Sequence, residues 1–143
     1  MASSDRRVVL TGLGVLSSIG TGVDEFVAGL RAGRSGAKPI TAFDTVGFEH
    51  STGCGLGEFD TEEWIRDLPV GSLGPASRFS VSAARMAVQD AGLDLDALRG
   101  QPGLISIGTT DGESRDLDEL VEAELADGSA AMDPRVAARL RAG

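Results

Sequence analysis

Apolar and polar positions along the chain change period several times, and each change marks an element. Val8, Val9 and Leu10 form a short apolar, largely β-branched run, the pattern of a buried strand. Gly12 and Gly14 then break the run and permit a tight turn. From Val23 the spacing becomes helical: Val23, Phe26, Val27 and Leu30 recur on one face. Asp24 and Glu25 fall in the first turn, where negative charge suits the helix dipole. Arg31 and Arg34 lie at the end, with Gly33 as the expected C-cap. Thr52 to Phe59 alternates weakly around three glycines, as a short strand or bulged edge does. Thr61 is placed to cap a short helix carrying Glu62, Glu63, Trp64 and Ile65.

The strongest helical pattern runs from Ser77 to Ala91, with Phe79, Val81, Ala84, Met86, Ala87, Val88 and Ala91 on a broad apolar face. Its many alanines predict close contact with another helix, or burial on most sides. Gly92 ends it. Leu93, Leu95 and Leu98 lead through a loop to Leu104-Ile105-Ser106-Ile107, a second buried-strand pattern. Arg115 to Ala126 is helical again, with Leu117, Leu120, Val121 and Leu125 expected inward. Asp127-Gly128-Ser129 breaks it, and Pro134 opens a last helix continued by Val136, Ala137 and Leu140. Ser35 to Thr52 is rich in turn-formers and reads as an extended surface segment anchored by Ile40, Phe43 and Phe48. Residues 1–5 read as a flexible tail. The order strand, helix, helix, strand, helix predicts an α/β fold with right-handed crossovers onto a partly parallel sheet. Two strong strands and one weak one leave sheet edges that need partners or cover.

Charge and cysteine content narrow the classes. The net charge of −9 argues against nucleic acid and against anionic membrane surfaces. A single cysteine excludes an internal disulfide and fits a reducing compartment. The start has no apolar signal core, and no apolar run approaches the roughly 18 residues of a membrane span. A cytoplasmic protein is expected.

Four groups are candidates for chemistry. Gly12-Leu13-Gly14 lies between a strand and a helix, as in a dinucleotide fingerprint. However, Ser17 stands at the third glycine position and no acidic strand end follows at ribose distance, so a close-packing turn is the better reading. Cys54 sits in S-T-G-C-G-L-G, without a helix start or base beside it to lower the thiol's pKa. It is read as a small buried or half-buried structural residue. His50, the only histidine, is read as a surface residue, and one Cys with one His makes no zinc set. Gly108 to Glu113 is a polar loop after the second strand pattern.

The run T-G-L-G-V-L-S-S-I-G, then a helix, then A-G-R-S-G and P-I-T-A-F-D, resembles the amino terminus of a β-ketoacyl synthase of type II fatty acid or polyketide synthesis. S-R-F-S-V-S-A-A-R-M-A-V-Q-D-A-G-L and G-L-I-S-I-G-T-T-D-G-E extend the resemblance, which thins after about Arg115. It implies part of a thiolase-like fold, in which two similar halves stack as α-β-α-β-α layers. It implies a whole enzyme of roughly 400 residues, beyond one ordinary domain. The family's nucleophilic cysteine follows a later strand in a T-A-C-type motif, so no catalytic residue is assigned here. The implied reaction is a decarboxylative Claisen condensation of an acyl thioester with a malonyl-carrier thioester, in fatty acid or polyketide synthesis. The segment by itself is expected to be inactive.

The resemblance also places Gly108–Glu113 beside the acyl pocket, with Thr110 and Asp111 as candidate substrate-binding residues. The position of Asp111 is usually apolar in the family, and a carboxylate against an acyl chain is costly unless paired. Asp111 therefore faces solvent, pairs with an arginine, or marks an unusual acyl group. No cofactor or metal is implied beyond the phosphopantetheine of an acyl carrier protein. The implied partners are that carrier and either a second copy or a ketosynthase/chain-length-factor heterodimer. Two alternatives stand: a non-catalytic partner resembling a chain-length factor, and a self-contained small α/β binding protein. The acidic stretch Asp111 to Asp127 reads as a solvated face that repels an acidic carrier. Arg135, Arg139 and Arg141 read as ordinary surface.

Overall fold

A computed structural model describes residues 7–110, 112–128 and 133–141. The chain divides into two compact units: residues up to Gly57 with Ala83–Gln101, and Glu58–Ser82 with residues from Pro102 onward.

The first unit opens with an irregular extended stretch. Val8–Leu10, expected as a buried strand, makes no ladder and is exposed, Val8 to 94% and Leu10 to 86%. A β run acquires its hydrogen bonds and burial from neighbouring strands, and none pairs with it among the described residues. The chain then folds into a hairpin of β1 (Leu16–Ser17) and β2 (Gly20–Thr21), antiparallel. The hydroxyl of Ser17 closes it, donating to the Gly20 carbonyl at 2.8 Å and accepting from Ile19 N–H at 3.3 Å. Serine chemistry replaces the usual Asn-Gly signal, so the sequence pattern did not announce this turn.

Helix α1 (Gly22–Arg31) matches its expectation. Glu25 reaches back so that its carboxylate accepts from Thr21 N–H at 3.0 Å, satisfying a donor at the helix start. Ala32 is the C-cap and Gly33 follows it at φ +63°. The buried position is Gly29 rather than Leu30, because Gly29 lies against the Ile19 carbonyl, where a Cβ would stand 2.7 Å from the oxygen.

β3 (Lys38–Pro39) pairs antiparallel with β4 (Thr52–Gly53), and Ile40 N–H extends the contact to the Ser51 carbonyl at 2.9 Å. The expected edge strand thus shortens to two residues at its start. Phe43 and Phe48 do not anchor the segment in a core. They are exposed and pack on each other, ring centroids 5.8 Å apart. The described ladders are all antiparallel and two residues long, so the partly parallel sheet is not formed among the described residues.

Helix α2 (Pro75–Asp90) confirms the strongest sequence pattern. Gly92 at φ +63° ends it, with Leu93 N–H returning to the Val88 carbonyl at 3.1 Å. Its alanines meet a glycine backbone rather than another helix. A Cβ at Gly12 would fall 2.1 Å from the Ala87 carbonyl oxygen, and one at Gly14 would overlap that of Ala83. Leu13 N–H, between them, donates to the Asp90 carboxylate at 2.9 Å. A short helix α3 (Leu95–Arg99) replaces the expected loop, because Asp94 caps it by accepting from Asp96 N–H at 3.0 Å.

In the second unit, residues 61–65 form hydrogen-bonded turns, not a helix. The capping side chain is Asp60, not Thr61: it accepts from Glu62 N–H at 2.8 Å. Leu104–Ile107 repeats the behaviour of Val8–Leu10, with Leu104 exposed to 91% and Ile105 to 89%. Helix α4 (Ser114–Asp127) forms as expected, but its buried positions are Asp116 and Leu120. Leu117, Val121 and Leu125 are exposed. Helix α5 (Pro134–Arg141) buries Val136, and Asp133 accepts from Arg135 N–H at 2.8 Å. Arg135 is exposed, while the side chains of Ala137, Arg139, Leu140 and Arg141 lie outside the described residues, as does the tail 1–5.

Candidate functional site

The described residues bring one chemically distinctive arrangement together, where the loop Gly108–Glu113 meets the start of α2. Gly74 accepts the first helical bond, from Arg78 N–H at 3.0 Å, so it is the N-cap, with Pro75 at the first helical position. An N-cap usually supplies a side-chain oxygen to the next free N–H groups, and Gly74 has none. Glu113 provides it from the other segment. Its two carboxylate oxygens accept from Ala76 N–H at 3.1 Å and Ser77 N–H at 2.7 Å. A Cβ on Gly74 would overlap this carboxylate, so glycine leaves the space that Glu113 fills.

Glu113 also starts α4 through its backbone, its carbonyl accepting from Asp116 N–H at 3.0 Å and Leu117 N–H at 3.2 Å. One residue therefore serves the starts of two helices, and its negative charge faces the positive end of α2. The loop before it is braced by Gly112 N–H donating to Thr109 Oγ1 at 2.9 Å, with Gly112 at φ +60°. Thr110 is exposed at the loop tip, and Asp111 lies outside the described residues. Sequence reasoning had marked this loop for Thr110 and Asp111. It missed Glu113, whose signal was the pairing of an uncapped Gly-Pro helix start with an acidic residue ahead of α4.

Beside this junction lies a cleft of about 240 Å³ lined by Leu73, Gly74, Pro75, Arg78, Arg115, Asp116 and Glu119. Its charged lining suits ion pairing and not an acyl chain: Arg115 lies 3.7 Å from Glu119, and Arg78 Nε donates to the Leu73 carbonyl at 2.8 Å.

The other candidates are not drawn together into a site. Gly12 and Gly14 face helix backbone, which fits the close-packing reading of that motif. His50 is exposed, as expected. Cys54 is exposed rather than buried, lying just past the end of β4 at Gly53. Among the described residues no cluster of His, Cys, Asp and Glu could hold a metal ion, and no helix is long and apolar enough to cross a membrane.

Residues 5–140 match the family model for the N-terminal domain of β-ketoacyl synthases. The chain is 31% identical over 129 residues to 3-oxoacyl-[acyl-carrier-protein] synthase 2 of Coxiella burnetii, covering 90% of this chain and 31% of that protein. It is 32% identical over 118 residues to the tetracenomycin polyketide synthase ketoacyl synthase alpha subunit of Streptomyces glaucescens, covering 80% and 27%. Among solved structures, the ishigamide ketosynthase/chain length factor is 57% identical, with a TM-score of 0.88 over 94% of this chain and 34% of that one. The chain thus spans about a third or less of each relative's length.

Proposed function

The chain belongs to the β-ketoacyl synthase family, whose N-terminal domain it carries, and from this we propose that it acts as the amino-terminal part of an acyltransferase that elongates acyl chains. The whole enzyme would take an acyl group onto a cysteine and decarboxylate a malonyl thioester held on an acyl carrier protein. The resulting carbanion would attack the acyl thioester, and the cysteine thiolate would leave. The carrier's phosphopantetheine brings the substrate, and no other cofactor is needed. This segment holds none of the reacting groups. It supplies scaffold and, at Thr110 and Asp111, part of the acyl-pocket wall.

The observation that carries the reading is the 57% identity to a ketosynthase/chain length factor, at a TM-score of 0.88 over 94% of the chain. The exposed runs Val8–Leu10 and Leu104–Ile107 agree with it, since both become ordinary core strands once neighbours flank them. We place those neighbours in the remaining two thirds of the protein, within an α-β-α-β-α layering. The working form is a dimer, and the cytoplasm is the expected compartment. The acidic face of α4 turns away from the carrier, which is itself acidic.

The same relative favours a second reading, since it contains a chain length factor as well as a ketosynthase. In that reading this chain belongs to a non-catalytic subunit, and Asp111 at a normally apolar pocket position fits it. One assay separates the two. Full-length protein is incubated with an acyl primer and a malonyl-carrier thioester, alone, with a separate ketosynthase chain and with a separate chain-length-factor chain, and β-ketoacyl product is read by mass spectrometry. Product from the protein alone or with the chain-length-factor chain is the expected result. Product only with the ketosynthase chain selects the partner reading, and no product in any of the three rejects both.

A further inference from the structure

We propose that Glu113 is a positioning residue that sets the acyl-pocket loop by anchoring it to the start of α2. The proposal rests on the reading above that Thr110 and Asp111 wall the pocket. The geometry has three parts. The Glu113 carboxylate takes the two N–H groups that an N-cap side chain would take, at 3.1 and 2.7 Å. Gly74 is the one residue type that leaves this carboxylate room. Gly112, directly before Glu113, donates its N–H to Thr109 Oγ1 at 2.9 Å, so the brace and the anchor are adjacent in the chain. Charge-assisted bonds of this kind are stronger than neutral ones. A capping role alone would need only an oxygen at Gly74. Placing the oxygen across the chain, on the loop, makes helix and loop move together.

Capping and positioning can be separated by moving the cap. Glu113→Ala removes both. Adding Gly74→Ser to Glu113→Ala returns a hydroxyl cap to α2 in the space the carboxylate vacated, but leaves the loop unanchored. Both are tested in the full-length protein, with its partner chain if condensation requires one. Melting temperature and the ratio of kcat/KM for a long against a short acyl primer are measured. Glu113→Ala is expected to melt a few degrees lower and to change the ratio by about tenfold, the scale on which pocket shape discriminates chain length. The double variant is expected to recover melting temperature and keep the altered ratio. If the ratio recovers with stability, Glu113 is only a cap and the proposal fails. An unchanged ratio in Glu113→Ala also overturns it. Thr110→Trp, which fills the loop tip, distinguishes this from failure of the pocket reading. If it shifts the ratio while Glu113→Ala does not, only the positioning role is lost. If neither shifts it, the loop does not wall the pocket and both fall.

Discussion

At Gly14 the chain leaves no room for a single added methyl group. Its missing Cβ is what lets the backbone lie against Ala83 and Ala87 of α2, and Gly12 does the same one turn along, against Ala87 and Ala91. Gly14→Ala would force helix and extended chain apart, an overpacking cost of about 1–3 kcal/mol. Gly55→Ala adds the same methyl into open space and should change stability little, within about 0.5 kcal/mol. Denaturant unfolding of the full-length protein checks the pair, and equal effects would show that the close approach does not matter. Ser17 at the third glycine position already argued against a phosphate loop at Gly12-Leu13-Gly14. With α2 in place, the glycines answer the packing demand that the close-packing reading expects. Ser82, in the same helix, is fully buried with its hydroxyl unpartnered, and nothing among the described residues explains it.

The elements divide by where their hydrogen bonds go. Helices satisfy their backbone locally, so α1, α2 and α4 were legible from spacing and end signals, with α4 found one residue longer at each end than expected. Strands depend on partners distant in sequence. Val8–Leu10 and Leu104–Ile107 read as core strands, yet stand exposed without ladders. Their apolar composition anticipates neighbours that the pattern itself cannot supply. Short elements escaped because single side chains decide them: Asp94 makes α3 and Ser17 closes the β1–β2 turn. The candidate loop was found from its family-like position, but its anchor was not, since Glu113 acts across 36 residues on Ser77. Ile105 offers a test of opposite signs. In the 143-residue chain alone, Ile105→Lys should raise solubility by breaking an aggregation-prone exposed run. In the full-length protein it should abolish folding, because an unpaired charge would enter a sheet core. Soluble yield of both forms measures this, and a full-length variant that folds normally would refute the strand assignment.

For the whole molecule, the account turns on division of labour. On the proposed function these residues carry scaffold, a polar loop and its anchor, while cysteine-based condensation would belong to the portion that completes the sheet. The self-contained binding-protein reading would instead require this chain to bury its own apolar runs, which it does not. The most direct test is the intact mass of the native gene product, read by mass spectrometry. The account predicts about three times the 14.7 kDa of this segment, since the chain covers 31% of its Coxiella relative. A mass of 14.7 kDa would contradict it, because the exposed strands and the condensation would then have no complementing chain in the same polypeptide.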